Sequence, residues 1–278
     1  MGVSKSAVLA WTKTLAGEVG RQGIRVNAVA LRQAGRRIGE SGEDDGGKET
    51  VAGIVTFLAS GKASFVNGQT VKVDERQKLH KIRIHSKRTG QGNEKYGVLL
   101  TGAAGGLGMK IIEVLCERKQ DLHPVGGSSS KRVIIACAHR PGDSFEKEIN
   151  ALGYKYNIEI FPKYVELSDE QSIGTLLQEL RADQIKTDIL INNAGAAHGG
   201  FFQTTRVETI RKIYDINLIS HMCLTNLLLK QMREDGFGVI SNVASIAGQD
   251  LSQGNSAYGT SKAAMIEWTK ELAQEYRT

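Results

Sequence analysis

Tyr258 and Lys262 stand four residues apart in Tyr258-Gly-Thr-Ser-Lys262-Ala-Ala-Met-Ile-Glu-Trp-Thr-Lys-Glu-Leu-Ala-Gln-Glu275, where Ala264, Met265, Trp268 and Leu272 recur at helical steps. That spacing sets the phenol and the ammonium one turn apart on the same face. A neighbouring cation favours the phenolate, so the tyrosine becomes usable as a general acid or base near neutral pH. Ser245, thirteen residues upstream at the end of Ser-Asn-Val-Ala-Ser, can hydrogen-bond a substrate carbonyl oxygen. A lone serine is more often a cap or a turn residue.

A second constellation lies earlier. Thr101-Gly102-Ala-Ala-Gly-Gly106-Leu107-Gly108 sits between a short apolar strand, Tyr96–Thr101, and an apolar-periodic helix running through Arg118. Glycines there let the backbone turn tightly and approach a pyrophosphate, and the helix that follows presents free N–H groups and the positive end of its dipole. A tight structural turn uses the same letters, so the strand before and the helix after are what give the pattern weight.

Positioning these residues takes an alternating chain. Strands are predicted at Gly23–Ala30, Arg132–Cys137, Ile158–Val165, Asp188–Ile191 and Gly238–Val243, with another closing the stretch Ala63–Asp74. Helices are predicted at Lys48–Ser60, Phe145–Leu152, Glu170–Arg181 and Val207–Glu234. The Gly-Ser loop Gln120–Lys131 is longer than such connections commonly are. Strands alternating with helices require a parallel sheet covered on both faces. The fold class is therefore α/β, a doubly wound parallel sheet of the Rossmann-like kind.

Tyr258-x-x-x-Lys262, with Ser245 ahead of it and the glycine-rich turn further back, resembles the short-chain dehydrogenase/reductase family. Residues 96–278 resemble the front two-thirds of one such domain, and residues 1–76 the back third of another. The resemblance implies hydride transfer between a nicotinamide and a ketone, aldehyde or secondary alcohol. It makes Tyr258 the proton donor, Ser245 the group that orients the oxygen, and Lys262 the cation that lowers the tyrosine pKa and holds the nicotinamide ribose. Asn217, in Asp215-Ile-Asn217-Leu, matches the helix asparagine that holds a relay water. Asn192-Asn193-Ala194-Gly195 resembles the motif that steadies the sheet and lines the adenosine side, opposite Thr101, Gly102, Gly106, Leu107 and Gly108. Glu166 stands where the family usually has Asp near the adenine.

Cofactor choice is read after the second strand of that segment, at Ala136-Cys-Ala-His139-Arg140. An NAD site places a carboxylate there for the ribose 2′-hydroxyl. This stretch has none, and the Arg140 guanidinium suits a 2′-phosphate, which favours NADP(H) over NAD(H). Arg140 as a plain surface loop residue is the competing reading.

The chain also repeats itself. Met1–Glu18, shifted by 257 positions, repeats the terminal helix: Gly2, Ser4, Lys5, Ala7, Trp11, Thr12, Lys13, Leu15, Ala16 and Glu18 recur, and Met1 falls where Tyr258 stands. The expected organisation is a C-terminal-type segment at 1–76, a basic linker at 77–95 and a dinucleotide-binding and catalytic segment at 96–278. The N-terminal segment would then supply the last two strands of the sheet. A linker of about 20 residues extends to roughly 60 Å, ample to pass under strands about 4.8 Å apart. A window cut from two tandem domains fits the same letters. The Pro-Gly that the family carries after the 23–30 strand is absent, and the loop over the substrate, Gly35–Gly47, is short. These departures keep a second reading open, a non-catalytic dinucleotide-binding or helix-pairing protein.

Bulk properties narrow the classes further. The 278 residues are 40% apolar and 24% charged, with no apolar run long enough to span a bilayer. The net charge of +6 is uneven: residues 1–95 carry +8, residues 96–278 carry −2, and Arg76–Lys95 hold seven basic residues and one acidic. With no aromatics and no motif the run reads as a solvated linker, so no nucleic-acid partner is expected. Cys116, Cys137 and Cys223 have no paired spacing and read as buried thiols in a reducing compartment. No secretory leader opens the sequence, and Met1-Gly2-x-x-x-Ser6, a myristoylation pattern, is equally the start of the repeated helix. No metal site, a cytoplasmic location and a homo-oligomer complete the expectation.

Overall fold

The computed structural model describes residues 24–31, 46–63, 66, 69–73, 95–122, 131–249 and 254–276. The repeated first helix with its myristoylation pattern, the shortened loop up to residue 45, the linker up to residue 94 and the 123–130 loop lie outside the described residues.

Among the described residues seven strands form one parallel sheet: β1 (Ile24–Leu31), β2 (Thr70–Val73), β3 (Lys95–Thr101), β4 (Lys131–Ala138), β5 (Glu159–Tyr164), β6 (Ile185–Asn192) and β7 (Gly238–Val243). Their order is β2-β1-β7-β6-β3-β4-β5. The middle strands are apolar on both faces, as in Val98-Leu99-Leu100 of β3 and Val133-Ile134-Ile135 of β4, all fully buried. β1 pairs with β7 from Ile24↔Gly238 to Val29↔Val243 and with β2 from Ala28↔Thr70 to Leu31↔Val73. Asn27 ties this edge together, its amide donating to the Val66 carbonyl at 2.9 Å and accepting from Gln69 N–H at 3.1 Å.

Helices cover both faces: α1 (Gly46–Ala59), α2 (Gly106–Glu117), α3 (Asp143–Tyr156), α4 (Glu170–Ala182), α5 (Val207–Tyr214), α6 (Ser220–Asp235) and α7 (Ser256–Glu275). Val55 and Leu58 of α1, Ile111 and Leu115 of α2 and Ile149 of α3 share one core. Ile173 and Leu176 of α4, Leu224 and Met232 of α6 and Leu272 of α7 share the other. Local chemistry sets several ends. Asp169 caps α4 by accepting from Gln171 N–H at 2.9 Å, and α6 stops at Gly236, which takes φ 65°. Among the described residues no helix is long and apolar enough to cross a membrane.

The helix predicted over Phe145–Leu152 extends over Asp143–Tyr156, and two further differences from the sequence signatures bear on packing. The long helix expected over 207–234 is interrupted by a π turn, Asp215–Ile219, between α5 and α6. β6 begins at Ile185, three residues before the predicted start, so Asp188 lies inside a strand. Its carboxylate is buried and paired with both terminal nitrogens of Arg132 on β4, and burial pushes it above the usual carboxylate range. A charged letter that reads as a strand boundary is here the partner of a distant guanidinium.

From β3 the chain runs outward to β4 and β5, then returns to β6 on the other side. The C-terminal ends of β3 and β6 therefore bound the crevice where ligands enter open α/β sheets.

Candidate active site

The turn after β3 is shaped by close contact. Gly102 takes φ 66°, a left-handed conformation costly for residues with a side chain, and a Cβ there would lie 2.8 Å from Ala194 Cα. At Gly108, in the first turn of α2, a Cβ would run into the Gly102 carbonyl. Gly105 is the N-cap of α2 and brings no side chain to it, so the N–H groups of Gly106, Leu107 and Gly108 face the turn without a side-chain acceptor. That cradle fits a pyrophosphate.

Opposite it, two clamps hold residues 193–196. The Thr101 hydroxyl accepts from the N–H groups of Asn193 and Ala194, both at 3.0 Å, while the Asn193 amide donates to the carbonyls of Thr101 and Gly102 at 2.9 and 3.2 Å. Asn217, buried on the π turn, accepts from Ala196 N–H at 2.7 Å and donates to the Ala196 carbonyl and the Ser261 hydroxyl, both at 3.0 Å. His221 joins the clamps: its Nδ1 is 3.4 Å from the Asn217 carbonyl and its Nε2 is 3.4 Å from the Thr101 hydroxyl. Burial, aided by the Lys262 charge, pushes the imidazole down to about 3, so the ring is neutral. Because the carbonyl can only accept, Nδ1 carries the proton and Nε2 accepts.

Lys262 is 3% exposed and donates to the Val243 carbonyl at 2.9 Å; burial pulls its ammonium down to about 8. A Cβ on Gly195 would lie 3.3 Å from Asn217 Oδ1 and 3.4 Å from Lys262 Nζ, which places these three residues side by side. Tyr258 is half-buried in the first turn of α7. Ser245 is buried at the end of β7, where its hydroxyl accepts from Ala247 N–H at 3.2 Å and caps the short turn Ile246–Gly248. That turn lies directly on α7. A Cβ on Gly248 would be 2.7 Å from the Lys262 carbonyl carbon, and one on Gly259 would be 2.7 Å from the Ala247 oxygen. The turns bearing Ser245 and Tyr258 thus meet backbone to backbone.

The outer residues are arranged differently. Arg140 is exposed beyond β4. Glu166 has both oxygens engaged: one accepts from Ser168 N–H and Oγ at 3.2 and 2.6 Å, the other lies 3.1 Å from His139 Nδ1. The Ser168 hydrogen bonds hold its carboxyl below the usual range. Cys116 and Cys137 are buried, their thiols pushed up to about 12 by burial and so inert as nucleophiles; Cys223 is half-buried.

His221, Ser261 and His139 carry weight that the sequence reading missed. His221 follows Asn217 by one helical turn and Ser261 adjoins Lys262, so spacing offered a signal for both. Nothing local announces the His139–Glu166 pair.

Comparison with known proteins fits this geometry. The short chain dehydrogenase family model matches residues 97–278, and the enoyl-(acyl carrier protein) reductase model matches residues 1–35. The chain is 33% identical over 178 residues to the ketoacyl reductase HetN of Nostoc sp., covering 64% of this chain and 57% of that one. It is 29% identical over 177 residues to the 3-oxoacyl-(acyl-carrier-protein) reductase FabG of Haemophilus influenzae, covering 64% and 66%. The chain thus spans 57% to 66% of the length of these two curated relatives. A solved short-chain dehydrogenase from Streptomyces avermitilis superposes with a TM-score of 0.55 at 27% identity, covering 66% of this chain and 61% of that one. Serine dehydrogenase from Escherichia coli gives 0.53 at 26%, covering 64% and 76%.

Proposed function

The chain belongs to the short-chain dehydrogenase/reductase family, and on that premise we propose that it is an NADP(H)-dependent oxidoreductase acting on a ketone, aldehyde or secondary alcohol. The observation that carries the reading is the buried Lys262 ammonium, set one turn from Tyr258 and against Gly195 and Asn217 at the mouth of the crevice. A buried cation acts through a low local dielectric, so its pull on a neighbouring phenol is stronger than in water.

The cofactor, when bound, supplies or accepts the hydride. Thr101, Gly102, Gly106, Leu107 and Gly108 with the bare N-terminus of α2 would hold its pyrophosphate, and Asn193, Ala194 and Gly195 would form the facing wall. Arg140 would pair with the 2′-phosphate. Glu166 stands at the adenine end, turned toward His139. Tyr258 would pass a proton to the carbonyl oxygen, Ser245 would orient that oxygen, Lys262 would hold the ribose, and Asn217 would complete the relay. The names of the ketoacyl and 3-oxoacyl reductase relatives make 3-oxo thioesters the first substrates to try. A cytoplasmic homo-oligomer goes with this reading.

The test is oxidation of NADPH and of NADH by the purified chain with a panel of carbonyl compounds. The expected result is turnover with NADPH preferred, lost in Tyr258→Phe. Nucleotide binding with no turnover would overturn it in favour of a non-catalytic dinucleotide-binding protein, and turnover unchanged in Tyr258→Phe would overturn the role given to Tyr258.

A further inference from the structure

His139 is the first residue beyond β4, and backbone hydrogen bonds fix its place from both sides. The Ala103 N–H donates to the Cys137 carbonyl at 2.9 Å and ties the glycine turn to one flank of the strand end. The Val165 N–H donates to the Ala138 carbonyl at 2.9 Å and ties the segment leaving β5 to the other. In a doubly wound sheet this position meets the adenosine ribose of a dinucleotide whose pyrophosphate lies in the glycine turn, and a carboxylate here selects the 2′-hydroxyl. In this chain an imidazole stands there instead.

The ring is oriented. Its Nδ1 lies 3.1 Å from one oxygen of Glu166, whose other oxygen is anchored by the Ser168 N–H and hydroxyl. Those Ser168 bonds keep the carboxyl below its usual range, so Glu166 is an anion that can only accept, and Nδ1 carries the proton toward it. Nε2 is left over: among the described residues it has no hydrogen-bond partner, and the side chain is 56% exposed. Arg140 follows it in the chain, exposed, and Lys212 of α5 lies near enough for its charge to act on Glu166. Asp143 and Glu146 open α3, the latter taken up by the Tyr164 hydroxyl, and Asp169 is occupied as the cap of α4. The turn Gly102–Gly108 brings no charged residue.

Building on the cofactor site proposed above, we propose that His139, oriented by Glu166, is the residue that reads the ribose 2′ position and sets the choice between the two nicotinamide cofactors. With the ring charged, Nε2–H would donate to a 2′-phosphate beside the Arg140 guanidinium. With the ring neutral, Nε2 would accept from a 2′-hydroxyl. Glu166 makes both possible, because a partner that holds the proton on Nδ1 leaves Nε2 as the nitrogen whose role changes with pH. The preference for NADP(H) therefore widens as pH falls and narrows as it rises.

The test is calorimetric titration of NADP+ and of NAD+ into the full chain with no substrate present, so it reads binding and not turnover. The comparison is His139→Gln, whose exposed position leaves the core untouched. Titrations at about pH 5.5 and about pH 8.5 bracket the range in which histidine changes charge. A 2′-phosphate itself gains a proton near about pH 6 in parent and variant alike, so the result is the difference between the two chains. At the acid pH the parent's preference for NADP+ over NAD+ is expected to exceed that of His139→Gln by about tenfold, the scale of one hydrogen bond to a charged group, and at the alkaline pH the gap closes. A preference for NADP+ of the same size and pH profile in both chains would overturn the role of His139 and leave the cofactor assignment standing. A parent chain that binds neither nucleotide would overturn both.

Discussion

Asn217 on the π turn donates a 3.0 Å hydrogen bond to the hydroxyl of Ser261 on α7, and both residues are fully buried. The same amide holds the backbone of Ala196 from both sides. One side chain thereby locks the 193–196 wall to the helix that carries Tyr258 and Lys262. In Asn217→Ala the Ala196 N–H and carbonyl and the Ser261 hydroxyl lose a partner together. Ser261 still donates to the Tyr258 carbonyl at 2.7 Å and Ala196 is only half-buried, so a loss of about 1–3 kcal/mol is expected, read from denaturant unfolding.

Lys262→Met separates stability from chemistry. The folded chain holds the ammonium near 8 against 10.5 when unfolded, because burial disfavours the charge. Between those values the unfolded state binds more protons, so this group makes stability rise with pH from about 8 toward 10.5. Below 8 both states are charged and its burial is a standing cost. Melting of Lys262→Met is expected to be no lower than that of the parent at pH 7, to lack the alkaline rise, and to accompany loss of turnover. A pH series of melts reads the first two.

His221 acts at the acid end. Its folded value of about 3 lies below the ordinary 6.5, again through burial, so the unfolded state takes up the proton first. Stability from this group is full above about 6.5 and is lost as pH falls toward 3. In His221→Gln the acid limb of the stability curve should be shallower, while stability at pH 7 drops through the weakened tie between Thr101 and Asn217. Urea midpoints from pH 4 to 8 measure both.

Gly248→Ala tests the contact between the Ser245 turn and α7. The added methyl would meet the Lys262 carbonyl carbon and the Ala263 nitrogen at 2.7 and 2.6 Å, and both are backbone atoms with little room to give. Overpacking of this kind costs about 1–3 kcal/mol. Displacing Ser245 from Tyr258 should also lower kcat by roughly 10–100-fold. A melt and a steady-state assay on one preparation check the two expectations.

Asp188→Leu leaves the Arg132 guanidinium buried without its carboxylate. Breaking one side of such a pair costs about 3–5 kcal/mol, whereas replacing both partners with apolar residues is close to neutral. Arg132→Met combined with Asp188→Leu is therefore expected to melt above the Asp188→Leu single variant.

What the sequence determined by itself was whatever depends on neighbours along the chain. The alternation of strand and helix follows from apolar period, the need for glycine at 108 from its collision with the Gly102 carbonyl six positions back, and the one-turn spacing of Tyr258 and Lys262 from the helix they share. Ser245 and Asn217 were found by their place in a pattern, while the bonds they make were not legible. The tertiary structure decided the rest, because a residue carries no local mark of a partner that sheet order brings to it. His221 meets Thr101 across 120 positions, and Arg132 meets Asp188 across 56. Glu166, placed by pattern at the adenine end, turns its carboxylate to His139. The largest such decision is the pairing of β1 with β7, since parallel strands fix their neighbours through packing of both faces at once and not through any turn between them.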